Sequence, residues 1–120
     1  MNPTILRRYS DELDPPDSGL PRDLRSFNVR IEVDICDMPK DADSVFFEFY
    51  VCSPDHLSRL PLDSFISPTL VIEEFQWKLI DERLEKIMPL GLSSSSWAEI
   101  AARWSGLLRP ASFDAFPWRE

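Results

Sequence analysis

Between positions 27 and 36 apolar and polar residues alternate one by one: Phe27, Val29, Ile31, Val33 and Ile35 against Asn28, Arg30, Glu32 and Asp34. A period of two predicts a strand with one face on a core and the other in water, which suits an antiparallel sheet with a solvated side. Residues 45–52 repeat the pattern, with Val45, Phe47, Phe49 and Val51 on one face. The other face, Phe46, Glu48, Tyr50 and Cys52, is only partly polar, so something is expected to cover part of it. Between the two runs, residues 37–43 carry Pro39 with Asp37, Asp41 and Asp43 and read as the turn of a hairpin. Shorter strands are predicted at residues 3–9, through Ile5, Leu6 and Tyr9, and at residues 69–73, just after Pro68.

The period then changes. Over residues 75–88, Trp77, Ile80, Leu84 and Ile87 recur at spacings of three and four and predict a helix with one buried stripe. Lys78, Asp81, Glu82, Glu85 and Lys86 fall on its outer face. Asp81 before Glu85 is an unfavourable like-charge pair, offset by about 0.2–0.5 kcal/mol from Glu82 before Lys86. Pro89 and Gly91 stop this helix. After a serine linker, Ser96 and Glu99 form a capping box, and Trp97, Ile100, Ala101 and Trp104 make a second stripe that ends at Gly106. Ser53-Pro54 predicts a short helix with Leu57 and Leu60 inward, ended by Pro61. Residues 10–26, with Pro15, Pro16, Gly19 and Pro21, read as an ordered loop or a partly mobile arm. Phe113 and Phe116 are expected to pack on the domain, leaving residues 117–120 as a tail. The reading is one α+β domain over residues 1–120: an antiparallel sheet of meander or hairpin type with two main helices packed on one face.

Composition adds a partner preference. Of 120 residues 43% are hydrophobic and 12% aromatic, enough for a core without disulfides or metal. The formal net charge is −8, which disfavours nucleic acid and anionic membrane and attracts basic partners. Cys36 and Cys52 each end a predicted strand, which leaves room for them to face each other. The start of the chain lacks the roughly 7–15-residue apolar stretch of a secretory signal, and no run approaches the roughly 20 apolar residues of a membrane span. Reduced, buried thiols in a soluble cytoplasmic protein are therefore expected.

Catalytic chemistry finds little support. His56 lies four residues from Cys52, but a zinc site would have to recruit Cys36 and Asp55 as well. A Cys52–His56 nucleophile pair lacks an orienting third group and a glycine-rich oxyanion turn. The carboxylate pairs Glu73–Glu74, Asp81–Glu82 and Asp41–Asp43 read as solvated surface rather than a glycosidase-type couple. There is no phosphate-binding or nucleophile-elbow motif, and three glycines are too few for a backbone phosphate cradle. No metal, cofactor or catalytic residue is predicted.

Four segments, in order, carry a resemblance. Residues 44–54 fit Ser-Phe-x-Phe-x-Val-Cys-[Ser/Thr]-Pro with one additional residue near Val45 and Phe46. Residues 70–77 are similar to Leu-Ile-Val-Glu-x-[Phe/Tyr]-Asp-Trp, residues 96–101 to Thr-Trp-x-Glu-[Ile/Val]-Ala, and Phe113 and Phe116 to a closing Phe-x-x-[Phe/Tyr]. Order and spacing together resemble the immunity protein 8 family, bacterial proteins that neutralise a cognate toxin by binding it. The chain departs from that pattern at Gln76, where an aspartate cap is common, at Asp55-His56, where Lys-Trp is usual, and in its final four residues.

The resemblance implies a non-enzymatic antitoxin, encoded beside a polymorphic or contact-dependent toxin, that occludes the toxin's active site. Many such toxins are nucleases with basic clefts, which a −8 partner would approach under electrostatic steering. The hairpin acids Glu32, Asp34, Asp37, Asp41 and Asp43 are the expected toxin-facing patch, with Asp81, Glu82 and Glu85 as the competing surface. The alternative is a small acidic adaptor with another protein partner.

Overall fold

The computed structural model describes residues 1–38, 44–59, 68–112 and 116–118. Strands β1 (Pro3–Tyr9), β2 (Asn28–Asp37) and β3 (Val45–Cys52) form an antiparallel meander. The β2–β3 register runs unbroken from Asn28 opposite Cys52 to Ile35 opposite Val45. Both alternations therefore lie in phase, and Val29, Ile31, Val33, Phe47, Phe49 and Val51 share one buried face.

The β1–β2 ladder slips between Ile5 and Arg7. The extra residue, Leu6, is an exposed bulge. It keeps Ile5 opposite Ile35 on the core face while turning Arg7 to the other face, opposite Asp34. Without it every side chain beyond Ile5 would lie on the opposite face.

The sheet is not antiparallel throughout. β4 (Thr69–Val71) runs parallel to β3, opposite Tyr50, Val51 and Cys52. A parallel neighbour needs a crossover of a dozen or more residues. The chain between β3 and β4 supplies one, beginning with α1 (Pro54–Leu57). β5 (Arg109–Pro110) then pairs antiparallel with Phe47 and Glu48. Two short strands thus divide the outer edge of β3 between them.

Helices α2 (Trp77–Ile87) and α3 (Trp97–Arg103) cover the apolar face, with a 3-10 turn (Met88–Gly91) between them. Phe47 is fully buried at the junction, with ring centroids 5.0 Å from Trp104, 6.4 Å from Trp97 and 5.5 Å from Phe116. The Trp104 indole N–H donates to the Ile87 carbonyl at 3.1 Å, tying the end of α2 to α3.

α2 begins two residues later than the predicted range of 75–88, at the first residue of its apolar stripe. Phe75 is buried ahead of the helix, edge-on to Phe27 and Trp77, and its N–H is bonded to the Leu24 carbonyl. Gln76 takes the N-cap with no side-chain bond. At α3 the Ser96 hydroxyl accepts from the Glu99 N–H as expected, but the Glu99 carboxylate reaches the Ser95 N–H and hydroxyl rather than Ser96. Those bonds to Ser95, with Arg103 nearby, hold the Glu99 carboxyl below its ordinary range.

Residues 10–26 form an anchored loop. Leu13 reaches the core, the Ser10 N–H bonds to the Pro16 carbonyl, and the Trp77 indole donates to the Gly19 carbonyl at 2.8 Å. Gly19 permits a close approach that no other residue would: a Cβ there would lie 2.6 Å from the Asp14 nitrogen and 2.7 Å from the Pro15 oxygen. In α1, Leu57 is only half-buried rather than inward, and no residue of the helix is buried. Leu60, Pro61 and Phe113 lie outside the described residues.

Cys36 and Cys52 are both buried and free. They do not face each other. Cys52 is opposite Asn28, eight ladder positions from Cys36, or about 26 Å at roughly 3.3 Å per residue. Burial, and then the charge of Asp55, pushes the Cys52 thiol above its ordinary pKa.

Candidate binding surface

The face of the sheet opposite α2 and α3 is built in cross-strand rows. One row is Tyr9, Glu32, Glu48 and Arg109, another Arg7, Asp34 and Phe46, and a third Arg30, Tyr50 and Thr69. The first row places two carboxylates directly opposite each other, normally a destabilising arrangement.

Three donors resolve it. Arg30, one step along β2, places a single guanidinium nitrogen 2.6 Å from Glu32 Oε1 and 2.6 Å from Glu48 Oε1. The Tyr9 hydroxyl donates to Glu32 Oε2. Arg109 reaches Glu48 Oε2 from β5 at 2.5 and 2.6 Å. With both oxygens occupied, Glu48 is buried to 6% side-chain exposure without an orphaned charge.

The titration behaviour follows from these contacts. Burial opposes the Arg30 charge, but its hydrogen bonds to Glu48 and Glu32 outweigh that and raise its pKa above the ordinary value. Burial and the hydrogen bond to Glu32 push Tyr9 up to about 12. In the second row, the Asp34 carboxylate is 8% exposed and accepts from the Arg7 Nε at 2.8 Å through Oδ2. The Arg7 guanidinium lies 4.3 Å from the Tyr9 ring centre. Its pKa is raised, first by its hydrogen bond to Asp34.

Of the five hairpin acids expected to face a toxin, Glu32, Asp34 and Asp37 are among the described residues. Glu32 and Asp34 lie on this face but serve as seats for Arg30, Tyr9 and Arg7. Asp37 is half-buried and accepts from the Asn2 N–H at 2.8 Å. Asp41 and Asp43 lie outside the described residues. The arginines that define the surface escaped local sequence reading because their partners are distant, 27 residues for Arg7 and 61 for Arg109. The available signal was Glu32 facing Glu48 once the two strands are set in register.

On the competing surface, Glu82 and Glu85 are exposed on α2, whereas Asp81 takes a two-pronged bond from Arg8 at 2.7 and 3.1 Å. Arg8 also stacks on Trp77 at 4.1 Å. Asp81 is thus engaged by a cation from β1 rather than left free on the helix face.

Around the start of α1, the Ser53 hydroxyl accepts from the Phe27 N–H at 3.0 Å and donates to Asp55. That bond, followed by one from Ser26, lowers the Asp55 pKa. His56 is half-buried, and among the described residues no group of three or more His, Cys, Asp or Glu side chains is placed to hold a metal ion. No helix of the described residues is long and apolar enough to cross a membrane. Comparison with family models, curated proteins and solved structures gives no match for this chain.

Proposed function

We propose that this protein neutralises a bacterial toxin by binding it, and that the sheet face opposite the helices is the contact surface. The observation carrying this reading is the set of arginine and tyrosine side chains seated on buried or half-buried carboxylates across that face. Arginine and tyrosine dominate the energetics of protein interfaces. Holding them in place before contact lowers the ordering cost of about 0.5–1.5 kcal/mol per immobilised side chain. Phe46, 47% exposed within the same face, adds apolar area for a partner to cover. The net charge of −8 speeds approach to a basic toxin. The four-segment resemblance to immunity proteins points to the same class of partner.

The test is co-expression with the toxic domain encoded by the neighbouring gene, followed by gel filtration of the mixture. Rescue of growth and a stoichiometric complex support the reading. Lethality with no complex, for every neighbouring candidate, overturns it. Hydrogen exchange on the complex then locates the surface, with new protection expected in β2 and β3 rather than α2.

A further inference from the structure

Within that face, one polar group is left over. Asp34 Oδ1 is buried and has no hydrogen-bond partner among the described residues, although Oδ2 of the same carboxylate is held by Arg7. A buried acceptor without a donor is costly in the free protein and becomes favourable once a donor arrives. Directly across the strand pair from Asp34 stands Phe46, 47% exposed. An open aromatic ring on the position paired with an unsatisfied carboxylate suits one kind of visitor, a cation on a long side chain that reaches the covered oxygen as neighbouring side chains yield. Its charged head donates to the oxygen while its stem or plane lies on the ring. Arg7 neutralises Asp34 only in part, because its own side chain is 66% exposed and its charge is screened by water.

Resting on the toxin-binding reading, we infer that Asp34 and Phe46 form a socket for one arginine or lysine side chain of the partner protein. A basic visitor also suits a chain of net charge −8.

The experiment uses the full chain and the purified toxic domain from the neighbouring gene. Affinity is measured for wild type, Phe46→Ala, Asp34→Asn and the control Lys78→Gln, an exposed position on α2, with thermal melts of each free protein. Phe46→Ala removes a side chain already half in water, so it should fold as wild type and bind about tenfold or more weaker. Lys78→Gln should bind within about twofold of wild type. Each toxin arginine and lysine is then changed to alanine in a cycle with Phe46→Ala. One position should make the two losses non-additive. If the wild-type complex forms but Phe46→Ala and a folded Asp34→Asn bind unchanged, or no toxin cation couples to Phe46, the socket is refuted and toxin binding stands. If no toxin domain binds the wild type, both inferences fall together.

Discussion

Replacing Arg30 with methionine tests the carboxylate clamp most directly. Methionine keeps much of the apolar stem and removes the one group that contacts both Glu32 and Glu48. Each carboxylate oxygen lies 2.6 Å from the same nitrogen, so the two can be no farther apart than twice that distance. Two unit charges about 5 Å apart at an effective dielectric near 20 repel by about 3 kcal/mol. Tyr9 and Arg109 remain as partial compensation, and Glu32 is 16% exposed, so a net loss of about 2–3 kcal/mol at pH 7 is the expectation.

The pH dependence gives this loss a signature. In the variant the folded state favours a proton on one of the facing carboxylates, so it binds protons more readily than the unfolded chain. Its stability deficit should therefore shrink as pH falls from 7 toward about 4.5 and return as pH rises. Urea unfolding of wild type and Arg30→Met at several pH values reads this directly, and Glu32→Gln added to Arg30→Met should recover about half of the loss. A deficit independent of pH, with no recovery from Glu32→Gln, would show that Arg30 acts through packing alone and refute the clamp.

Other outcomes follow from neighbouring features. Phe47→Ala should cost about 3–5 kcal/mol by urea unfolding, while Phe46→Ala, one residue away on the other face, should cost under about 1 kcal/mol; equal losses would contradict the strand orientation. In a Tyr50→Phe variant, tyrosinate absorbance should report Tyr9 alone, with a midpoint near 12 rather than 10. Because that folded value is raised, the stability Tyr9 contributes is present below pH 10 and lost as pH climbs toward 12. A thiol-reactive dye should label neither cysteine in the native protein and both after denaturation, and mild oxidation should form no internal disulfide. Gly19→Ala should destabilise the protein by about 1–3 kcal/mol, because the added carbon meets backbone atoms that have no rotamer to yield, and Trp77 fluorescence should change as its carbonyl partner shifts.

What the sequence announced depended on the range of the interaction. β1, β3 and the N-cap of α3 appear where period and capping residues place them, since each is decided within a few neighbouring positions. The stripe of α2 was legible for the same reason, but its start was not. Phe75 falls inside the predicted range of 75–88 yet packs ahead of the helix on Phe27, 48 positions earlier in the chain. The direction of β4 and the existence of β5 are set by pairing with β3, which leaves no local trace in three-residue and two-residue strands. The candidate surface was half legible: Glu32 and Asp34 were picked out as acids, while Arg7 and Tyr9, which lie beyond the β1 bulge and seat on them, and Arg109 of β5, which seats on Glu48, were not.

The divided edge of β3 also sets an order of events during synthesis. The β2–β3 hairpin can form as soon as residue 52 has emerged, yet Glu48 must wait for Arg109, 61 residues after it in the chain. Until then the nascent chain carries an open strand edge and a carboxylate lacking one of its arginines. The shorter that interval, the less time the open edge has to pair with another chain. Slowing the ribosome after β3 would then lower the yield of soluble protein without altering the stability of the molecules that do fold.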